Sequence, residues 1–484
     1  MKVIREIKDS ILNMNRKELG KFDFGLLAIV LFLFFVFDCY ADIVTTYLHS
    51  MGLLEALTKG KLFQFYDYST EFISAYRSMV TPPAYPFLVY FIFAIWNLPV
   101  FILHQIFGID YMYPLFLLWC KGMLVLFSAG SVKLLREILK QHGHETKLKL
   151  AIFLFSSSLF FVLPVFAVAQ YDIIAVFFIL WGMKSYLSEE RISGRTIILF
   201  SVAVTLKYFA ILFFIPLVLM REKRIFRCMG NIILSLIPAF LGGIVFPNHS
   251  EIVKSGFQSL FLAEKLFGGK IAGGATELCE FVGLYIGTVI WAFYIKPESR
   301  EAYFKNVVWL GTAVYLLFIC FVDINPYWAV LASPFLVLLI VQNPENQKIN
   351  LILDIFLNVL ASLVWIVKYD WIYLWNNNMH YLLFELLQIP ACEERKFSKY
   401  WNSCIGEEWL PVLFTAAVVC GMGLLVINYP GRKQDSKQAE ETSDYGIIRL
   451  RLLMPALYIG TDIMLYIWTH VKNLLYPIYA YFFK

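Results

Sequence analysis

Charge is scarce in this chain. Asp, Glu, Lys and Arg make up 16% of its 484 residues, where a soluble domain of ordinary composition carries about a quarter. Set against 60% hydrophobic and 18% aromatic residues, that deficit excludes a soluble globular protein. The net charge of +5 is small for the length, and nothing points to a nucleic-acid surface. No small-residue cleavage pattern follows the charged, amphipathic start MKVIREIKDSILNMNRKELGKFD, so the first apolar run is expected to stay as an anchor. No pair of similar halves is visible either, which weakens a transporter built from repeats. Tight metal-ligand spacing is missing too. Asp38, Asp42, His49 and Asp172 could in principle share a divalent ion, but no close ligand pattern supports one, and no cofactor is expected.

What the chain does have is apolar runs of membrane-spanning length, recurring from residue 24 to near residue 470. The expected class is an all-α polytopic membrane protein with about 11–13 transmembrane helices. The positive-inside rule orients it. Lys2, Arg5, Lys8, Arg16, Lys17 and Lys21 place residues 1–23 in the cytoplasm, and the first helix, 24–41, exits to the other face. The next basic loop holds Lys133, Arg136, Lys140, Lys147 and Lys149, so it too belongs inside. Two apolar runs, 84–107 and 113–132, lie between, and one of them must not cross. The first opens TPPAYP and contains NLP, so proline is expected to break it and lay it along the outer face. Residues 40–111 then form one large outer loop.

Residues 196–220 pose the same puzzle, because Lys184, Arg191 and Arg195 precede them and Arg221, Lys223 and Arg224 follow. Lys207 and Tyr208 stand at the centre, where an ammonium in lipid is expensive. A broken hairpin with Lys207 at its turn answers both facts. Later apolar runs at 150–168, 172–187, 230–247, 277–295, 304–322, 326–342, 350–367, 409–428 and 452–470 alternate smoothly, with outer loops at 248–276 and 368–408. GRKQDSKQAEETSDYG, residues 431–446, reads as a flexible cytoplasmic linker before a last membrane segment in 447–484. Six of the eight cysteines lie in or beside apolar segments, where reduced, buried thiols are ordinary. Cys392 and Cys404 bracket a polar loop, and a disulfide between them requires an oxidising compartment, which leaves both states open.

This threading gathers polar residues on one face: Asp38, Asp42, Asp67, Arg77, Pro82, Pro83, Tyr85, Gln170, Tyr171, Asp172, Lys207, Tyr208, Asp323, Asn325 and Tyr327. Carboxylates, two cations and aromatics from several segments suit an anionic headgroup and a polar acceptor. Each residue also has a plain reading. Asp38 reads as an interfacial helix end, QYD as an ordinary loop, and DINPYW as a proline turn. Asp42 is harder to dismiss, because six more helical residues, IVTTYL, continue past it. On one helix Asp38 and Asp42 would share a face, about 6 Å apart along the axis.

An acid just after the first membrane helix, PPAYP in a long outer loop, QYD before FFILWGM, and LKYFAILFFIPL on a broken hairpin follow one another in order. That order resembles the GT-C integral-membrane glycosyltransferases that use polyprenyl- or dolichyl-phosphate-linked sugars, over roughly residues 24–220. The resemblance implies a catalytic first half and a variable second half, 221–430. It implies sugar transfer from such a donor to a glycan, lipid or polymer acceptor on the outer face of the lipid bilayer. Asp42, with Asp38 the weaker match, is implied as general base. Lys207, Tyr208, Arg77, Gln170, Tyr171 and Asp172 are implied at the donor. Tyr85, Asn325 and Tyr327 are implied to shape the site, although DINPYW lacks the basic residue that related enzymes often place there. The rival is a transporter or flippase of a lipid-linked or anionic substrate. Short loops and a Lys- and Ile-rich composition tilt the location toward a bacterial plasma membrane. The sequon Asn248-His249-Ser250 keeps an endoplasmic-reticulum lumen open.

Overall fold

Gly20 opens the first described helix by donating its backbone N–H to the Asp23 carboxylate at 2.8 Å, which restrains the turn where α1 (Lys21–Phe37) begins. The computed structural model describes residues 18–74, 82–249, 260–273, 276–370, 372, 374–375, 395–431 and 445–482. Arg77 and Cys392 lie outside these residues, as do Ser250 and most of the 431–446 stretch.

Phe37 ends α1, and after Asp38, Cys39 and Tyr40 the chain restarts as α2 (Ala41–Thr58), bent by 65° from α1. A helix ending in an apolar environment leaves carbonyls without partners. Here Lys121 supplies them. Its ammonium donates to the carbonyls of Phe34 at 3.4 Å and Phe35 at 2.6 Å, and to that of Asp38. The expected single helix through Asp42 is therefore a broken one.

After α3 (Phe65–Ser74) comes α4 (Phe87–Phe107), a continuous 21-residue helix. Pro99 does not interrupt it, contrary to the expectation of a run broken at its middle. Proline costs a helix one N–H, and membrane helices tolerate that where neighbours supply polar contacts. Asn97, two residues earlier, is buried and donates to Ser50 Oγ at 3.0 Å. α5 (Pro114–Gln141) follows and carries Lys121.

Next, α6 (Leu148–Ser156) and the short α7 (Leu159–Val162) form a second bent pair, with a 59° angle at Ser157 and Ser158. Asn358 satisfies this break, accepting from Ser158 Oγ at 2.9 Å and from the Phe160 N–H at 3.1 Å. A wide turn at Leu163–Ala167 leads to Ala169, whose φ of 57° lies in the left-handed region. For a residue with a side chain that costs about 1–3 kcal/mol, a kind of strain that clusters at functional positions.

α8 (Asp172–Ser188), α9 (Gly194–Leu206) and α10 (Ala210–Arg221) come next. As expected, the 196–220 run is broken at Lys207, and neither half is long enough to cross alone. The remaining elements are α11 (Ile225–Val245), α12 (Leu260–Phe267), α13 (Glu280–Tyr294), α14 (Arg300–Phe321), α15 (Ser333–Gln342), α16 (Gln347–Lys368), α17 (Phe397–Cys404), α18 (Trp409–Ile427) and α19 (Tyr445–Phe482). The last runs well past both ends of the expected 452–470 segment. Two small antiparallel ribbons pair Lys270–Ala272 with Glu277–Cys279 and Leu374–Trp375 with Arg395–Lys396.

Among the described residues six helices are long and apolar enough to cross a membrane, or up to eight if each bent pair is one span. The protein is an all-α, multi-pass membrane protein. Charges inside α19 dock it: Arg449 Nε lies 2.9 Å from Asp23, Arg451 pairs with fully buried Asp354 of α16, and Asp462 faces Asp38.

Candidate functional site

Four interruptions of helix meet at one place. Asp42 lies in the first turn of α2, Gln170 to Asp172 start α8, Lys207 occupies the α9–α10 break, and Tyr327 and Trp328 belong to the tight turn Pro326–Leu331 after α14. Helix ends are where backbone and side chains can leave the 3.6-residue pattern and converge.

The Asp42 carboxylate is half-buried and accepts two side-chain bonds at Oδ2. Gln170 donates its amide N–H, and Tyr85 donates its hydroxyl at 3.3 Å. Lys207 Nζ lies 2.9 Å from Asp172 Oδ1, with 11% of the lysine side chain and none of the aspartate exposed. A buried pair of this kind needs close geometry to offset desolvation. Aromatic faces surround the ammonium: Trp328 at 4.9 Å, and Tyr171 and Tyr327 each at 5.7 Å. Asp42 is within electrostatic range of both Lys207 and Asp172. Tyr85 packs edge-on against Tyr171 at 4.7 Å, and Asn325 donates to the Tyr327 hydroxyl at 2.8 Å. The Trp328 indole N–H is buried without a partner among the described residues. Two carboxylates, one cation and several hydroxyls thus converge at one place, with Asp172 paired to the cation and Asp42 held by Gln170 and Tyr85.

Tyr208 points elsewhere, into an adjoining cavity of about 470 Å³. That cavity lies between α4 and α11, and Tyr66, Tyr85, Phe87, Gly242 and Phe246 also line it. Its walls are mainly apolar, and α11 is largely uncovered by the rest of the chain. Asn248, the sequon asparagine, donates its side-chain amide to the Pro83 carbonyl at 2.7 Å and borders the same cavity. A second cavity of about 870 Å³ is lined by polar groups including Asp323, Tyr369, Asp370, Ser398 and Asn402. Lys265, which lies 3.9 Å from Asp323, is also 5.6 Å from the Trp328 ring.

Asp38 does not join Asp42. The break at residues 38–40 removes the shared helix face, and the Asp38 side chain turns toward Asp462 and Lys121 in the interior. Two facing carboxyls hydrogen-bond only through a shared proton. Asp67 is exposed on α3, and Asp323 is held at the surface by Tyr369 and Lys368. His49 is buried against Ser69 at 2.8 Å, well inside α2. Among the described residues no group of three His, Cys, Asp or Glu side chains is placed to hold a metal ion. Lys121, Trp328, Asp354 and Arg451 are new to the picture. Lys121 had a signal, a lysine inside an apolar run, but its partners are backbone carbonyls about 85 residues away in sequence.

Comparison with known proteins finds no matching family model, no matching curated protein and no matching solved structure.

Proposed function

We propose that the protein is a membrane glycosyltransferase of the GT-C kind, moving a sugar from a polyprenyl-phosphate-linked donor to a polar acceptor at the outer face. One observation carries this reading: a carboxylate and an ammonium, Asp42 and Lys207, converge from two separate helix breaks. Transfer by displacement needs both. The acceptor hydroxyl gives its proton to a carboxylate as its oxygen bonds to the anomeric carbon. The bond from that carbon to the donor phosphate breaks, and its electron pair leaves on the phosphate, which a fixed cation stabilises. Asp42 is the base in this scheme and Lys207 the cation. Gln170 and Tyr85 hold the base in one orientation, and Asp172 holds the lysine. The apolar cavity at Tyr208 suits a prenyl chain, and the larger cavity, where Asp323, Tyr369, Asp370, Ser398 and Asn402 stand, offers hydrogen-bonding groups to a hydroxyl-rich acceptor.

A specific observation favours the rival transporter reading. Lys121, Asp38 and Asp462 are ionisable groups buried among helices, and such groups mark ion and proton routes in membrane carriers. The test is transfer of labelled sugar from a panel of polyprenyl-phosphate donors in membranes that contain the protein. Label in a glycan or lipid product supports the enzyme. No transfer from any donor, together with flux of a labelled lipid-linked sugar across vesicles, supports the carrier.

A further inference from the structure

The two helices that leave the candidate site end together on the other side of the protein. α8 runs from Asp172 to Ser188, and α10 runs from just after Lys207 to Arg221. Beyond these ends lies a cavity of about 670 Å³, lined by Arg191, Arg221, Arg224 and Arg227 and by Glu190 and Glu222. By the positive-inside rule this is the cytoplasmic face.

The arginines are not equivalent. Arg221 is fixed: Nε donates to the Tyr303 hydroxyl at 2.8 Å, Nη1 donates to the Tyr186 carbonyl at 2.5 Å, and the guanidinium lies 3.8 Å from the Tyr186 ring. Glu222 is partly used, lying 3.7 Å from Arg227 and accepting the Arg224 backbone N–H at 2.9 Å. Among the described residues, the guanidinium groups of Arg191 and Arg224 have no ion pair, and both side chains are exposed. The cavity therefore holds more positive charge than its two glutamates balance.

Its remaining wall belongs to a helix with an exposed apolar surface. Gly230 and Leu234 of α11 line it, and the same helix exposes Phe226 at 85% and Ile233 at 55% to the surroundings. A cationic cup beside an uncovered apolar helix matches a ligand with a phosphate at one end and acyl chains at the other. Basic pockets between membrane helices on the cytoplasmic side bind anionic lipid headgroups. We infer that this cavity binds the phosphodiester headgroup of an anionic phospholipid of the cytoplasmic leaflet, with its chains lying along α11. The site is separate from Asp42 and Lys207 and does not depend on the transfer reading.

The test uses purified full-length protein and native mass spectrometry of first-lipid binding, with palmitoyl-oleoyl phosphatidylglycerol and the matching phosphatidylcholine as probes. Substituting Arg191→Gln and Arg224→Gln together is expected to weaken phosphatidylglycerol binding about thirtyfold and leave phosphatidylcholine unchanged. The pair Arg191→Lys and Arg224→Lys keeps the charge and is expected to retain most of the binding, which separates loss of charge from loss of fold. Two results overturn the inference. One is phosphatidylglycerol binding that is equal in the Gln variant and wild type. The other is displacement of the lipid by millimolar inorganic phosphate, which would make a free anion the ligand.

Discussion

Lys207 and Asp172 meet at 2.9 Å, the cation from a helix break and the carboxylate from the first turn of α8, with the aspartate wholly buried. Removing one member of such a pair leaves an uncompensated charge, which costs about 3–5 kcal/mol. Lys207→Met is therefore expected to lower thermal stability sharply in detergent. The double variant Lys207→Met with Asp172→Asn is expected to recover part of that loss. Neither is expected to transfer sugar, because the cation is gone in both. Thermal unfolding followed by size-exclusion chromatography, run beside the transfer assay, separates the two effects. Additive losses in the double variant would contradict the pairing.

The two aspartates near the first helix break should behave differently. Asp42→Asn is expected to lower transfer by about 10²–10⁴ with expression unchanged, the range for loss of a positioned base. Gln170→Leu, which removes one of the two donors that orient Asp42, should give a smaller loss with the pH profile altered. Asp38→Asn should leave transfer near wild type, because that side chain faces Asp462 instead. Steady-state transfer in membranes with matched protein levels decides among them. Full activity in Asp42→Asn with loss in Asp38→Asn would reverse the assignment.

Lys121 satisfies the carbonyls that end α1, so Lys121→Met should destabilise that junction. Each buried carbonyl left without a donor costs about 1–3 kcal/mol. Hydrogen exchange at residues 34–42 is expected to rise most, ahead of exchange in α14 or α15. A uniform rise across the chain would mean that Lys121 acts through packing instead.

His142 lies outside the apolar spans, half-buried and stacked on Phe304 at 4.1 Å. Burial, and after it the positive charges at Arg300 and His144, lower its pKa to about 4. A depressed value means that the folded state resists the proton that the unfolded state takes up near pH 6.5. The stability His142 contributes is complete above about pH 6.5 and is lost as pH falls toward 4. Thermal midpoints measured at pH 7.5 and pH 5 should therefore differ more for wild type than for His142→Gln. Equal differences would show that other groups carry the acid sensitivity.

Much of the fold was legible because lipid imposes simple rules. Apolar run length showed a multi-pass helical protein but overcounted its spans: against the expected 11–13, six helices among the described residues, or up to eight with the bent pairs, are long and apolar enough to cross. The expected break at Lys207 is present, between α9 and α10. Proline misled at Pro99, which lies inside a continuous helix. The break after Phe37 was hidden. Nothing within FVFDCYAD ends a helix, and the group that stabilises the end, Lys121, comes from another helix.

The composition and hydropathy of the chain by themselves determined a multi-pass helical protein, since burying so many apolar side chains with so little charge leaves few other solutions. The residue types of the candidate site were also readable one by one. Their partnerships were not. Only the tertiary structure decided that Asp42 belongs with Gln170 and Tyr85 while Asp38 belongs with Asp462, and that Trp328 stands by Lys207. The reason is physical: a helix break redirects side chains by tens of degrees, and the long-range contacts that stabilise the break carry no local sequence signature.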